Sequence, residues 1–284
     1  MAKKVKPNFQ ENVSETLLIP LYMRAKESKE ENPIIVDKTS ESILSMVDYD
    51  FSKFFTDVRC QLCISFRTRY FDDAVRKFVA RYDDAVVVLI ACGLDPRVER
   101  IALSKEYQVY ELDFPDVINL RRQFLPESSN NKYITGDITN DGWIKAIKAE
   151  HPNGHFLFIL EGIAMYLTEE QVKRFFKNID DNFDHAEIHV ERMNKYLSKR
   201  THLLESVNNT NATFSWGCDD PKEIEKWSSS FKLKNEYYYY SDEYKQIRKR
   251  IGLKAIPLKY IPAYSRSLGI WSYVKNKKYL RMCC

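Results

Sequence analysis

The chain has 284 residues, 44% of them hydrophobic and 30% charged, and its 44 basic and 40 acidic residues leave a net charge of +4. This length can bury a large core in one α/β domain, with or without an appended lobe. The basic residues are scattered along the chain, so the charge does not indicate nucleic-acid binding. No apolar run approaches the ~20 residues of a membrane span, and MAKKVKPNFQ lacks the apolar core of a signal peptide. We therefore expect a cytoplasmic protein with neither a membrane nor a nucleic acid as its partner.

Helices are predicted throughout the first part of the chain. They run from Glu11 to about Lys29, with a start or an interruption at Pro20, from Asp37 to Met46, and from Cys60 to Tyr82. Apolar residues in the third helix recur at spacings of three and four, which is typical of an amphipathic helix. Residues 1–82 are thus expected to form an N-terminal helical cap.

The CxxC pair in the third helix gives little indication of a metal site. Cys60 and Cys63 have no second pair and no nearby histidine to complete the four ligands of a structural zinc. We expect free thiols and no bound metal.

Strands and helices alternate from residue 83 to residue 193. The first strand, 85–91, consists of seven apolar residues, a pattern typical of a strand that is buried on both faces. Four more strands are predicted near 107–112, 132–135, 155–160 and 185–191, and helices after Pro96 and at 115–124, 141–149 and 168–179. This alternation predicts an α/β core with a doubly wound parallel sheet. Ligands of such sheets bind at the carboxyl ends of the strands.

The alternation stops at Asn194. Residues 194–250 are polar and partly helical, and we interpret them as a substrate-covering insertion or lid. Beyond them, LKAIPLKYI and SLGIWSYVKN resemble two strands of an antiparallel hairpin at the sheet edge. Residues 251–284 are therefore expected to complete the sheet.

Acidic residues gather where the first four strands end. They are Asp95, Glu111, Asp113, Asp137 and Glu161. Like charges in one cleft repel unless a ligand supplies donors or positive charge. S-adenosylmethionine supplies a ribose diol, an exocyclic amine and a positive charge. NAD is less suitable, because the turn ACGLDPR lacks the GxGxxG spacing that brings backbone amides to a pyrophosphate.

Five segments of the chain carry a family resemblance. They are RTRYFDD at 67–73, VLIACGLDPRVER at 88–100, VYELDFPDVI at 109–118, GDITNDGW at 136–143 and LEGIAMYLTEEQV at 160–172. In content and order they resemble the leucine carboxyl methyltransferase family, in the branch similar to polyketide-synthesis O-methyltransferases. The resemblance implies a class I methyltransferase fold of the Rossmann-like type and S-adenosylmethionine as the cofactor.

The resemblance also implies roles at the methionine end of the cofactor. Arg67 would pair with the cofactor carboxylate, with Arg69 beside it. Gly93 would pack under the methionine part, and Glu161 would close the site near the amino group. The family often has glycine where this chain has Ala91.

Other roles concern the nucleoside end. Asp113, or Glu111 at the same strand end, would accept hydrogen bonds from the ribose hydroxyls. Asp137 and the backbone of Ile138 would contact the adenine edge. Asp95 follows the glycine turn and completes the expected set of cofactor-binding residues.

The sequence indicates the methyl acceptor less specifically than it indicates the cofactor. A carboxylate acceptor is already ionised at neutral pH, whereas a hydroxyl with a pKa of ~10 or more usually needs a base. Tyr166, His189 and His202 are the candidate catalytic residues, and Tyr166 is also a candidate to line an acceptor pocket. We expect an O-methyltransferase that acts on a carboxylate or hydroxyl of a small, polyketide-like molecule. The alternatives are a protein C-terminal carboxyl methyltransferase and a non-catalytic nucleotide-binding module.

Overall fold

The computed structural model describes residues 4–11, 13–54 and 58–276, so the end of the predicted C-terminal region, 277–284, lies outside the described residues. Strands β1 to β7 are Ala85–Ile90, Gln108–Asp113, Asn131–Thr135, His155–Leu160, His185–Met193, Phe231–Tyr238 and Leu268–Asn276. Helices α1 to α14 are Leu18–Glu27, Lys38–Met46, Val58–Arg81, Arg97–Ile101, Pro115–Arg121, Gly142–Glu150, Glu169–Asn182, Lys195–Ser198, Glu205–Asn208, Lys222–Trp227, Tyr239–Asp242, Tyr244–Ile251, Ile256–Tyr260 and Pro262–Ser265. Short 3₁₀ helices are Ser14–Leu17, Phe51–Phe54, Ala164–Tyr166, Thr201–Leu203 and Gly252–Ala255.

The seven strands form one sheet in the order β3-β2-β1-β4-β5-β7-β6. Strands β1 to β5 are parallel, which confirms the predicted doubly wound sheet. The register pairs Ile90 with both Leu112 and Leu160, so that the carboxyl ends of β1, β2 and β4 meet at one edge. The strand order reverses between β1 and β4, which makes their carboxyl ends the topological switch point.

Strand β1 explains why the core has two layers of helices. All six of its residues are buried. Val87 and Leu89 belong to the core shared with α3, whereas Val86, Val88 and Ile90 belong to the core shared with α6 and α7. Alternate residues of a strand point to opposite faces, so an unbroken apolar run requires helices on both sides.

The N-terminal helices pack as a third apolar cluster on this core, with Leu18, Leu21, Ile43 and Ile64 buried in it. The predicted helices are present as α1, α2 and α3. Pro20 lies in the first turn of α1, where the missing N–H has no intrahelical partner to lose.

The predicted C-terminal hairpin is wrong in one of its strands. LKAIPLKYI is helical, as the 3₁₀ helix Gly252–Ala255 and α13. Pro257 cannot donate to a strand ladder, and it occupies the first turn of α13 instead. The second segment forms β7 as predicted, and it pairs antiparallel with β5 on one side and with β6 on the other. Strand β6, which takes the place of the predicted hairpin partner, comes from the region interpreted as a lid.

None of the helices in the described ranges is long and apolar enough to span a bilayer.

Candidate active site

A cleft opens at the switch point of the sheet. It consists of a cavity of about 980 Å³ and an adjoining cavity of about 350 Å³. The two cavities share wall residues, among them Ala91, Asp113, Phe114, Ile163 and Tyr166, so they lie side by side. Ligands of doubly wound sheets bind at this position.

The turn after β1 exposes its backbone to the cleft. Ala91 and Gly93 both have a φ of 53°, in the left-handed region that favours glycine. A Cβ added to Gly93 would lie 3.2 Å from the Cβ of Leu17, which is tighter than ordinary packing. The turn therefore requires a glycine at position 93, and Ala91 adopts a backbone conformation that is strained for an L-residue.

The Asp113 carboxylate faces this turn. It accepts one hydrogen bond from the Gly93 N–H and one from the Phe114 N–H, both at 2.8 Å. Burial raises the pKa of Asp113 to about 6, although both N–H donors act in the opposite direction. Each carboxylate oxygen keeps a further lone pair. Asp113 can therefore accept hydrogen bonds from a ligand diol while it holds the turn.

Glu111 does not line the cleft. Its carboxylate is fully buried and pairs with Arg121 at 2.6 Å. Arg121 also donates to the carbonyl oxygens of Gly93 and Asp95, at 3.0 and 2.9 Å. Glu111 therefore positions Arg121, and Arg121 supports the glycine turn from behind. The position of Glu111 at a strand end does not distinguish contact with a ligand from the positioning of Arg121.

Arg67 lies where β4 and β5 end. Its Nε donates to Glu161 at 3.0 Å and its Nη1 donates to Glu191 at 3.1 Å. A Cβ added to Gly162, whose φ is 69°, would lie 3.2 Å from Nη2, so this glycine gives the guanidinium room. Glu191 also accepts from the Gly162 N–H and from the Tyr239 hydroxyl.

Glu191 is a residue that the sequence analysis missed. It lies near the end of the fifth parallel strand, whereas the acidic residues predicted to bind the ligand all come from the ends of the first four strands.

A buried ion-pair network continues from this group into the protein. Arg97 contacts Glu161, Asp95 and Asp72, at 2.6, 2.9 and 2.9 Å. Arg100 extends the network to Asp37 at 2.8 Å. Although burial raises the pKa of Asp95, the arginines around it lower that pKa well below its usual range.

Asp95 lines the larger cavity, but its charge is already shared with these arginines. Arg69 is not part of the group. It pairs with Glu243 at 2.6 Å.

Asp137 and Ile138 lie in the smaller cavity, as the loop after β3 predicts. The Asp137 carboxylate accepts from the Thr139 N–H and hydroxyl, at 2.7 and 2.8 Å. Ile138 is buried and supplies an apolar wall. A flat base with a polar edge suits this end of the cleft.

The three candidate catalytic residues lie in different environments. Tyr166 is half-buried in the wall shared by both cavities, 5.3 Å from the Phe214 ring, and burial raises its pKa. His189 is buried away from the cleft and contacts Glu187 at 2.8 Å, and burial lowers its pKa. His202 is exposed and does not line the cleft. Among the described residues, the cleft walls contain no histidine.

Beyond the strand ends the larger cavity becomes mainly apolar. Its walls there include Ile64, Met193, Leu197, Leu204, Phe214 and Leu258. These residues come from α3, from the end of β5 and from the helices and loops that follow β5. Cys60 and Cys63 also face this cavity, and no cluster of three metal-ligating side chains is found within the described ranges.

The groups that line the cleft suit S-adenosylmethionine. They include hydrogen-bond acceptors for a diol and an ammonium group, a guanidinium for a carboxylate, and an apolar wall for adenine. Comparisons with known proteins agree. The chain is 30% identical over 213 residues to the tetracenomycin polyketide synthesis O-methyltransferase TcmP of Streptomyces glaucescens, covering 75% of this chain and 78% of the relative. It is 28% identical over 254 residues to the S-adenosyl-L-methionine-dependent methyltransferase dpfgK of Gibberella zeae, covering 80% and 83%.

Solved structures show the same fold at low sequence identity. A Thermobifida fusca protein assigned as a methyltransferase superposes with a TM-score of 0.57 at 14% identity, covering 89% of this chain and 94% of that one. The fold is thus of the class I methyltransferase type, and the cofactor is S-adenosylmethionine. The family model for leucine carboxyl methyltransferases matches residues 18–180. With more than half of its length matched by that model, the chain belongs to the leucine carboxyl methyltransferase family.

Proposed function

We propose that the protein transfers a methyl group from S-adenosylmethionine to an oxygen of a small and mainly apolar acceptor. The observation that carries this proposal is the contrast between the two ends of the cleft. The cleft is lined by carboxylates and hydrogen-bonding groups at the strand ends, and by apolar side chains in the part of the larger cavity that contains Met193. The relative from Streptomyces glaucescens, named as an O-methyltransferase of polyketide synthesis, supports an oxygen acceptor and a small molecule.

At the nucleoside end, Asp113 would accept from the ribose hydroxyls while its hydrogen bonds hold the turn in place. Asp137 would accept from the adenine amine, and Ile138 would pack on the ring. These roles use the free lone pairs of carboxylates that the fold has already oriented.

At the methionine end, Arg67 would bind the cofactor carboxylate through Nη2, since Glu161 and Glu191 engage its Nε and Nη1. The exposed face of the Glu161 carboxylate would attract the amino group. When bound, the cofactor supplies an electrophilic methyl group on a sulfonium. The protein positions the acceptor oxygen in line with it and excludes water.

The walls of the cleft favour an acceptor that is ionised before it binds. Asp113, Glu161 and Glu191 are engaged in hydrogen bonds or ion pairs. The raised pKa of Tyr166 makes it a poor base at neutral pH. A carboxylate needs no proton removed, so we favour a carboxylic acid over a phenol or an alcohol.

The first experiment is isothermal titration of the full chain with S-adenosylmethionine, S-adenosylhomocysteine and NAD. We expect binding of the first two only, weakened roughly 10- to 100-fold in Asp113→Ala, because hydrogen bonds to a charged group contribute about 1.5–3 kcal/mol. Asp116→Ala is the matched control, since Asp116 lies three residues away and does not line the cleft. Equal weakening in both variants would remove the ribose assignment.

A screen for methyl transfer then separates the acceptor classes. Aromatic and aliphatic carboxylic acids, phenols and a peptide with a free leucine carboxylate are each supplied with methyl-labelled cofactor. Label found only on small acids supports the proposal. Label on the peptide alone favours a protein acceptor, and tight cofactor binding without any turnover favours a binding module.

A further inference from the structure

The segment from Tyr244 to Ile261, which contains α12 and α13, has an unusual surface. Leu253, Ile256, Tyr260 and Ile261 are 72%, 40%, 66% and 44% exposed. The other large hydrophobic side chains that are exposed among the described residues are spread along the chain, at Val36, Met46, Val58, Tyr196 and Leu203. Exposed apolar side chains that cluster within nine residues indicate an interaction surface, whereas scattered ones need no explanation.

The charge of this segment indicates the nature of its partner. Residues 244–261 contain six lysines and arginines and no acidic residue, although the whole chain has 44 basic and 40 acidic residues. Lys245, Arg248, Lys249 and Lys254 are exposed, and no ion pair is found for them within the described ranges. An anionic partner would complement these cations. A second copy of the same surface would repel them.

The segment also borders the larger cavity. Ile251, Lys254, Pro257 and Leu258 line its wall, next to the apolar residues assigned to the acceptor. The segment with exposed apolar side chains therefore also forms part of the cleft wall.

We propose that the 244–261 segment docks the protein on an anionic membrane surface. Basic and apolar side chains on short helices are the features of segments that lie in the plane of a lipid interface. Such a surface requires no shape-matched groove, and the short helices of this segment offer none. This partner differs from the sequence-based expectation of no membrane, which rested on the absence of a spanning segment.

A consequence concerns the acceptor, and it rests on the proposed function. An apolar acid dissolved in the lipid layer could enter the cavity beside Leu258 without crossing water. The docking itself does not depend on methyl transfer and is tested separately.

The test is sedimentation of the full chain with vesicles of phosphatidylcholine alone and with vesicles that also contain phosphatidylglycerol. We expect binding to the second kind only, weakened by added salt, because charge attraction near a surface falls off within a Debye length. Equal partition to both kinds, or to neither, would overturn the proposal. Binding to soluble polyglutamate without binding to vesicles would also overturn it, and would indicate an acidic protein instead.

Two pairs of variants locate the surface. Lys245→Gln with Lys249→Gln should weaken vesicle binding by about tenfold or more, since each cation contributes about fivefold near an anionic surface. The matched control is Lys222→Gln with Lys232→Gln, which changes two exposed lysines elsewhere. Leu253→Ser with Ile256→Ser should also weaken binding, whereas Val36→Ser should not.

All these side chains are exposed, so unchanged thermal unfolding and unchanged cofactor binding should accompany each variant. Equal loss of vesicle binding in the test and control variants would mean that attraction is general to the protein, and would contradict docking by this segment.

Discussion

The two ends of the cleft are built by different kinds of interaction. At the strand ends, Arg97 and Arg121 are buried and Arg67 is partly buried, and each bridges at least two groups from separate elements. At the apolar end, three distant parts of the chain, namely helix α3, a loop and the short helix α13, supply the side chains of Ile64, Phe214 and Leu258, which pack without directional bonds.

The difference shows which part of the cleft is free to vary. Removing one partner of a buried ion pair leaves an uncompensated charge, so the cofactor end tolerates few changes. Apolar packing depends on volume and can accommodate a new shape. Under the proposed roles, a fixed cofactor site beside an adaptable acceptor site would allow related proteins to keep one cofactor and use different acceptors.

Arg97→Ala is expected to give the largest effect. It would leave Asp72 and Glu161 without a cation that contacts both, and we expect about 3–5 kcal/mol less unfolding free energy by urea denaturation. Arg76→Ala, which removes an exposed pair with Asp73, should cost less than about 1 kcal/mol. Similar losses in the two variants would contradict the rigid cofactor end. Arg97→Lys, which keeps the charge, extends the test if the alanine variant does not fold.

Phe214→Ala tests the adaptable end. Loss of this ring should lower kcat/KM for an acceptor found in the screen by roughly tenfold or more, since pocket contacts discriminate by about 1–3 kcal/mol. The cofactor Kd should not change, because the proposed cofactor contacts are hydrogen bonds and ion pairs of Arg67 and Asp113, to which an apolar ring contributes nothing. Phe51→Ala is the control, as Phe51 stacks on Tyr22 outside the cleft. A cofactor Kd that follows the acceptor effect would show that the two ends are coupled.

The cofactor end should also respond to pH through Asp113. Burial raises its pKa to about 6, so the carboxylate is mainly ionised at neutral pH and becomes protonated as the pH falls below 6. We expect cofactor affinity to drop by about tenfold between pH 7 and pH 5, measured by titration calorimetry. Asp113→Asn should bind weakly with a flat profile over that range. A wild-type profile that is also flat would show that ionised Asp113 does not bind the cofactor.

Ala91→Gly should have the smallest effect. The left-handed φ of Ala91 costs an L-residue about 1–2 kcal/mol of folding free energy. Glycine removes this strain, but its unfolded state has a larger conformational entropy, which offsets part of the gain. We expect the free energy of unfolding, measured by thermal denaturation, to rise by up to about 1 kcal/mol. Ala102, with a φ of 41° and outside the cleft, is the matched position. Ala102→Gly should give a similar gain and leave the cofactor Kd unchanged. A loss of stability in either variant would argue against strain at these sites.

The sequence contains enough information to predict the sheet and much of the cofactor end. Strand β1 is an unbroken apolar run, and parallel strands bring their carboxyl ends to one edge, so Asp113 and Glu161 could be placed near each other without coordinates. The direction of a side chain was not predictable in the same way. Glu111 and Asp113 both belong to the end of β2, yet the carboxylate of Glu111 pairs with the buried Arg121 whereas Asp113 lines the cleft.

The apolar end was largely beyond prediction because its helices are short and come from distant segments. A pattern of four or five residues does not distinguish a helix from a strand, as LKAIPLKYI shows, although Pro257 was a signal against a central strand. The whole chain is nearly balanced, with 44 basic and 40 acidic residues, so its overall charge does not single out the basic residues of 244–261. Their significance depends on the exposed apolar side chains beside them, which only the structure reveals.

The hydrogen bonds from Arg121 to the carbonyl oxygens behind the glycine turn have a consequence for the rate of cofactor binding. A turn that is held in its final shape by the folded protein has no ordering step to complete when the ligand arrives. Association should then be a single step whose observed rate rises linearly with cofactor concentration, without the plateau that a slow conformational change imposes.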